Sequence, residues 1–201
     1  FTVDDFGDIF ENLGDIFGFG GRRKGQTYQT NINISFTEAA SGIEVVLPLE
    51  NESIKVKVPA GVDNGSVIRL RGRGGPGAAG APDGDLLVQV SVEPHKFFKR
   101  NNMDLILEVP LLFTEAALGS SIRIPTLTKS VTLKIPSGTP SGKTFKIRGE
   151  GITPQGRRSG DLYVKVFIIP PTNLSRSAKK HLEKFRDQFE SGDSPRKYLD
   201  E

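Results

Sequence analysis

The sequence has no cysteine, no tryptophan, one methionine and two histidines. Lack of thiols excludes disulfides and every thiolate metal site, and His95 and His181 stand too far apart in sequence to form a spaced ligand pair. No metal or other cofactor is therefore expected. Long apolar runs are missing as well. Nothing approaches the roughly 18 residues of a membrane span, and no basic-then-apolar leader precedes the first charged stretch, so the expected compartment is the cytoplasm, with no membrane contact. A strong charge of one sign is also absent: net +3 permits contact with nucleic acid without arguing for it. Catalytic patterns are lacking too. There is no Gly-x-Ser-x-Gly elbow, and neither histidine has a Ser and an Asp in a repeated position, so the chain is not expected to be an enzyme.

What the chain does contain is itself, twice. Phe36-Thr37-Glu38-Ala39-Ala40-Ser41-Gly42 returns as Phe113-Thr114-Glu115-Ala116-Ala117-Leu118-Gly119, an offset of 77 residues (113 − 36). Lys57-Val58-Pro59-Ala60-Gly61 returns as Lys134-Ile135-Pro136-Ser137-Gly138, and Arg71-Gly72-Arg73-Gly74 as Arg148-Gly149-Glu150-Gly151. Near the end the offset slips to 76 (160 − 84), where Gly84-Asp85-Leu86 meets Gly160-Asp161-Leu162. A repeat of this length is a duplicated subdomain. Units of about 70 residues lie near the lower size limit for a stable core. With 23 Gly and 13 Pro in 201 residues, many turns are expected.

Within each copy the apolar period is two. Tyr28, Thr30, Ile32, Ile34 and Phe36 share one side of a first strand, and further strands are expected over 44–49, 54–58, 67–71 and 85–93, separated by Gly, Pro, Asn and Asp turns. The second copy repeats them near 104–112, 121–124, 130–135, 144–148 and 161–169. The segment from Thr37 to Gly42 reads as a single helical turn capped by Ser35 or Thr37. The fold class is all-β: two tandem homologous β-sandwich or barrel subdomains, followed by a C-terminal amphipathic helix. Ala178, Leu182, Phe185 and Phe189 form that helix's stripe, with Ser175 as its N-cap. The stripe packs either on the second subdomain or on its twin from another chain. Ahead of the repeat, Phe6, Ile9, Phe10, Leu13, Ile16 and Phe17 lie on one face of a short helix whose other side is acidic, and Gly18-Phe19-Gly20-Gly21 dissolves it into linker. The expected organisation is a Gly/Phe-rich segment over 1–25, subdomain I over 26–95, subdomain II over 96–171, the helix over 172–190 and a polar tail over 191–201. With Phe1 first and the only Met at 103, the chain reads as a fragment whose N-terminal part is missing.

Two motifs fail on context. Ser137-Gly138-Thr139-Pro140-Ser141-Gly142-Lys143-Thr144 is one residue short of a phosphate-binding loop, but it leads into an alternating strand rather than a helix. Arg71-Gly72-Arg73-Gly74-Gly75 suggests an RNA grip, yet its second copy carries Glu150 in the middle, so a loop needing positive φ fits better. Asp85 and Asp161 share a repeat position and read as turn-closing residues. His95, in the connection between the copies, reads as structural. Apolar surface is in excess: Val45, Val46 and Leu47 are consecutive, and one face of an edge strand cannot hide all three. Ile32, Ile34 and Leu49, with Phe97 and Phe98 of the connector, add to this set, and part of it suits a cleft where an extended apolar peptide joins a sheet edge.

These motifs, in this order, resemble the C-terminal region of the DnaJ family of J-domain co-chaperones over essentially the whole chain. The Gly18-Phe19-Gly20-Gly21 segment with its Asp-Ile-Phe elements is similar to the family's glycine/phenylalanine region. Val58-Pro59-Ala60-Gly61-Val62, Gly84-Asp85-Leu86 and His95-Lys96-Phe97-Phe98-Lys99-Arg100 resemble its first β-subdomain. Phe113 to Gly119, Ile124-Pro125-Thr126-Leu127 and Gly160-Asp161-Leu162 resemble its second. The resemblance implies a heat-shock co-chaperone: a homodimer joined by the C-terminal helix through Leu182, Phe185 and Phe189, binding unfolded polypeptide clients and handing them to a DnaK-type ATPase chaperone. It places client contacts at Thr30, Ile32, Leu47, Leu49 and Phe98. The His-Pro-Asp J domain and the cysteine-rich zinc module are absent from this sequence, the latter replaced by Glu50-Asn51-Glu52-Ser53. Val45 stands where some relatives have a lysine that holds their partner's acidic tail. The rival reading is a nucleic-acid binder of the curved-DNA type, with Arg22, Arg23, Lys24, Arg69, Arg71, Arg73, Arg157 and Arg158 as a basic rim.

Overall fold

A computed structural model of the chain describes residues 23–49, 53–154 and 156–189. The helix expected over Phe6 to Phe17, most of the turn at 50–53 and the polar tail at 191–201 lie outside the described residues. The chain divides into two compact units, one running to Met103 and including Ile152–Gly160, the other comprising Asp104–Gly151 and the residues from Asp161 onward.

The first unit contains β1 (Tyr28–Ile34), α1 (Phe36–Ser41), β2 (Ile43–Pro48), β3 (Ser53–Val58), β4 (Val67–Leu70), β5 (Leu86–Val92) and β6 (Phe98–Asn101). The repeat supplies the second unit: β7 (Asp104–Leu112), α2 (Phe113–Leu118), β8 (Ser120–Pro125), β9 (Ser130–Ile135), β10 (Thr144–Ile147), β11 (Leu162–Ile169) and finally α3 (Arg176–Phe189). The first strand of each copy pairs in parallel with the last. β1 meets β5 from Tyr28↔Leu86 to Ile34↔Val92, and β7 meets β11 from Leu105↔Leu162 to Leu112↔Ile169. The strand before the last adds antiparallel on its other side, β4 on β5 and β10 on β11. A separate hairpin, β2 with β3 or β8 with β9, completes each unit. The fold is all-β with a terminal helix. A parallel pair cannot be joined by a tight turn, so α1, the hairpin and β4 all lie in the crossover between β1 and β5.

Alternation fills the cores. Ile32 and Ile34 of β1, Val56 and Val58 of β3, and Leu86, Val88 and Val90 of β5 are buried in one cluster with Ala39 of α1. Their counterparts Leu105, Leu107, Ile124, Ile135, Leu162, Val164 and Val166 are buried in the second unit. Between β1 and β2, Ser35 caps α1: its hydroxyl accepts the Glu38 N–H, while the Glu38 carboxylate accepts the Ser35 N–H at 2.8 Å. This is the reciprocal pair that satisfies two orphan donors at a helix start. Gly42 ends the helix at φ 79, where a side chain would also press on the Ala60 backbone.

The boundary between the units falls after Met103, eight residues beyond the expected one at 95. Arg100 is the physical reason. Its guanidinium donates to the carbonyls of Val62 and Gly61 at 2.6 and 2.8 Å and pairs with Asp63 at 2.8 Å, fastening the connector to the first unit. Ile152, 1% exposed, belongs there too, its N–H donating to Met103 O at 2.8 Å.

The long loop from β4 to β5 holds the chain that enters β1. Gly75 N–H donates to Gln26 O, Gly84 N–H to Gly75 O and Gly25 N–H to Pro82 O. A Cβ built on Gly84 would collide with the Gln26 carbonyl, so glycine is required for this approach. Gly72 has the positive φ, 65°, expected of the Arg-Gly run. Asp85 closes the loop: its carboxylate accepts from Lys24 Nζ at 3.0 Å, Arg69 Nε at 2.8 Å and Gly72 N–H at 3.1 Å. Asp161 repeats the device with Lys146 and the Gly149 N–H.

Lys24, then the Gly72 N–H and Arg69, hold the Asp85 carboxyl far below the usual carboxylate range. A carboxylate depressed on folding contributes stability above its unfolded pKa of about 3.9, and that contribution is lost as pH falls toward the folded value. Asp85→Asn should therefore melt well below the parent at pH 7, and the gap should narrow below about pH 4, as thermal unfolding across a pH series will show. Ser35→Ala removes the cap and should cost about 1 kcal/mol in urea unfolding.

Candidate functional site

Two strands of the first unit have one partner each among the described residues, β1 with β5 and β2 with β3. Each thus presents a row of backbone donors and acceptors along its other side, a template for a further strand. Along β2, Ile43, Val45 and Leu47 are half-buried and pack on the core, whereas Glu44, Val46 and Pro48 face outward. Val46, at 56% exposure, is the member of the Val45–Leu47 run that the core does not take. It lies opposite Lys55 in the hairpin register, beside the Lys55–Glu44 ion pair of 3.2 Å.

Ile32, Leu47 and Leu49 belong to one apolar cluster, with Ile32 at its centre, 5% exposed, and the two leucines at its half-buried margin. Thr30, also half-buried, lies two residues before Ile32 and so on the same side of β1. Phe98 is elsewhere. It is 4% exposed and sits in a ring cluster with His95 at 4.9 Å and Phe97 at 4.8 Å, while Phe36 stacks on His95 at 5.4 Å. Of the five residues, Thr30, Leu47 and Leu49 offer surface, while Ile32 and Phe98 serve as packing beneath it. The exposed aromatic of the connector is Phe97, at 43%. Adjacent phenylalanines in an extended segment point to opposite sides, which the sequence does announce; it does not say which of the two faces out.

His95 is structural in a specific way. Its Nδ1 accepts the N–H groups of Phe97 at 3.3 Å and Phe98 at 3.2 Å, so the ring organises the turn that carries both phenylalanines. The Glu93 N–H donates to Ile34 O at 2.9 Å, which places this turn directly beyond the C-terminal end of β1.

In the second unit, Ser175 Oγ accepts the Ala178 N–H at 3.1 Å and starts α3 as expected. Ala178 and Leu182 are half-buried. Phe185 meets Phe113 edge-on at 5.9 Å and remains 44% exposed. The side chain of Phe189 lies outside the described residues. Leu112, Leu118, Phe167, Ile169 and Leu174 of the same unit are exposed as well. Two of them mark a divergence between the copies: Leu112 replaces the capping Ser35, and Leu118 replaces Ser41. The stretch from Ser137 to Lys143 runs into β10, so no helix N-terminus stands where a phosphate would need one.

The family model of the DnaJ C terminal domain matches residues 28–171, from the first residue of β1 to just beyond β11. The chain belongs to the DnaJ C-terminal domain family. Both copies of the repeat are thus DnaJ C-terminal domain sequence, while α3 and the residues before Tyr28 lie beyond the match. Within this DnaJ C-terminal domain the two exposed sheet margins fall in the first copy's β1 and β2, and the exposed leucines and phenylalanines concentrate in the second copy and α3.

Burial sets the expected response to mutation. Phe98→Ala should lower unfolding free energy by about 3–5 kcal/mol, as for other buried phenylalanines, and Phe97→Ala should change it by no more than about 1 kcal/mol. Urea midpoints of the two variants will distinguish them.

Proposed function

We propose that the chain is the client-holding part of a DnaJ-type co-chaperone: it binds exposed apolar segments of unfolded polypeptides in the cytoplasm and delivers them to a DnaK-type ATPase chaperone. The observation that carries this reading is the free edge of β2 next to the half-buried leucines, Leu47 and Leu49. An extended peptide added to such an edge gains backbone hydrogen bonds, and its alternate side chains meet the apolar margin. Each client side chain buried is worth about 1.5–3 kcal/mol, much of which is offset by ordering the peptide, so one site binds weakly. Weak sites suit a protein that must let go.

Two sites on one long client raise the avidity by about 10²–10⁴ when the span fits. The exposed stripe of α3, together with Leu112, Leu118 and Ile169, supports a dimer through the second unit, since a monomer rarely leaves so many large apolar groups uncovered in one region. The expected role is that of a binding protein rather than an enzyme. Leu47→Ser combined with Leu49→Ser should weaken binding of an extended apolar peptide at least tenfold, roughly the loss of one well-buried contact, by fluorescence anisotropy. Unchanged affinity would exclude the β2 margin. Phe185→Asp should yield a monomer by light scattering with reduced suppression of client aggregation.

A further inference from the structure

We infer that Phe97 is an additional client contact and that His95 is its positioning residue, through an imidazole nitrogen that must stay unprotonated. The inference deepens the client-holding reading and rests on it. A peptide lying along the free side of β1 runs off its C-terminal end at Ile34, and the next element there is the turn of His95, fastened by the Glu93 N–H to Ile34 O bond. Phe97 is the exposed ring of that turn, standing edge-on to His95 at 4.4 Å, interplanar angle 84°. Large aromatic rings held rigidly at an edge carry much binding energy for little conformational cost.

The ring is held from beneath. Phe36, Phe97 and Phe98 surround His95 at centroid distances of 5.4, 4.4 and 4.9 Å. Both backbone donors of the two phenylalanines converge on Nδ1, so that nitrogen is an acceptor and the ring's proton is on Nε2. Protonation at Nδ1 would aim a third N–H at two others and leave both without an acceptor. The turn must then open, and Phe97 loses its seat. Histidine is the side chain whose charge ordinarily changes between about pH 5 and 8. The charged groups on the surrounding elements do not counter this. Glu38 of α1 is engaged with Ser35, Asp63 with Arg100, and the connector itself carries Glu93 against Lys96 and Lys99.

The test uses the intact chain and a fluorescein-labelled peptide of alternating leucine and serine, with affinity read by anisotropy at pH 7.5 and pH 5.5 and folding read by urea midpoint. Phe97→Ser should lose about tenfold in affinity at pH 7.5 with its midpoint unchanged. The parent should weaken several-fold on moving to pH 5.5. His95→Asn, whose side-chain oxygen can accept the same turn N–H groups but does not titrate, should bind like the parent at pH 7.5 and keep that affinity at pH 5.5. Phe97→Ser with parental affinity, or His95→Asn with the parental loss at pH 5.5, overturns the inference. Failure of the parent to bind the peptide at pH 7.5 overturns the client-holding reading itself.

Discussion

The parallel pairing of β1 with β5 is the constraint on which the first unit depends. Because the last strand of the repeat takes the centre of the sheet, the first is left at the margin with one side unpaired. The crossover needed to make that pair swallows α1 and the β2–β3 hairpin, and the hairpin then closes the core from the other side with Ile43, Val45 and Leu47. Two open margins beside one apolar cluster follow from a single topological choice. Natural β proteins usually protect such edges, and where they do not, the edge is generally in use.

Duplication reproduces the topology without reproducing the surface. Parallel register, hairpin, capping glycines and the loop-closing aspartate recur almost residue for residue. Yet the serine that caps α1 becomes Leu112, the hydroxyl of Ser41 becomes the side chain of Leu118, and Gly75 becomes the buried Ile152. The second unit gives up a cap and places two leucines in water. A fold that tolerates this has been specialised for contact, and the contrast between the copies locates where better than either copy alone.

Much of this was legible in the primary structure. Strands over 104–112 and 130–135 match to the residue because strict alternation is a local property, as do the caps at Ser35 and Ser175, where the donor geometry is set within four residues. The parallel partnership of β1 and β5 was not legible, since it joins segments nearly sixty residues apart and leaves no local mark. The unit boundary was missed for a similar reason: Arg100 reads as one more surface cation until its three carbonyl acceptors are seen. For the candidate site, alternation put Leu47 and Leu49 on one side of β2, but the depth of Ile32 and the choice between Phe97 and Phe98 depend on which side the core lies.

The glycine-lined clasp around residues 23–26 has a mechanical meaning. Lys24 is bolted to Asp85 and Gly25 to Pro82, so the polypeptide leaves the first unit from a fixed post rather than from a loose end. The twenty-two residues ahead of it form a leash whose full stretch is roughly 70 Å, twice the breadth of such a unit. Whatever rides on that leash sweeps the surface of its own β unit at a high effective concentration, with a radius set by the position of one lysine.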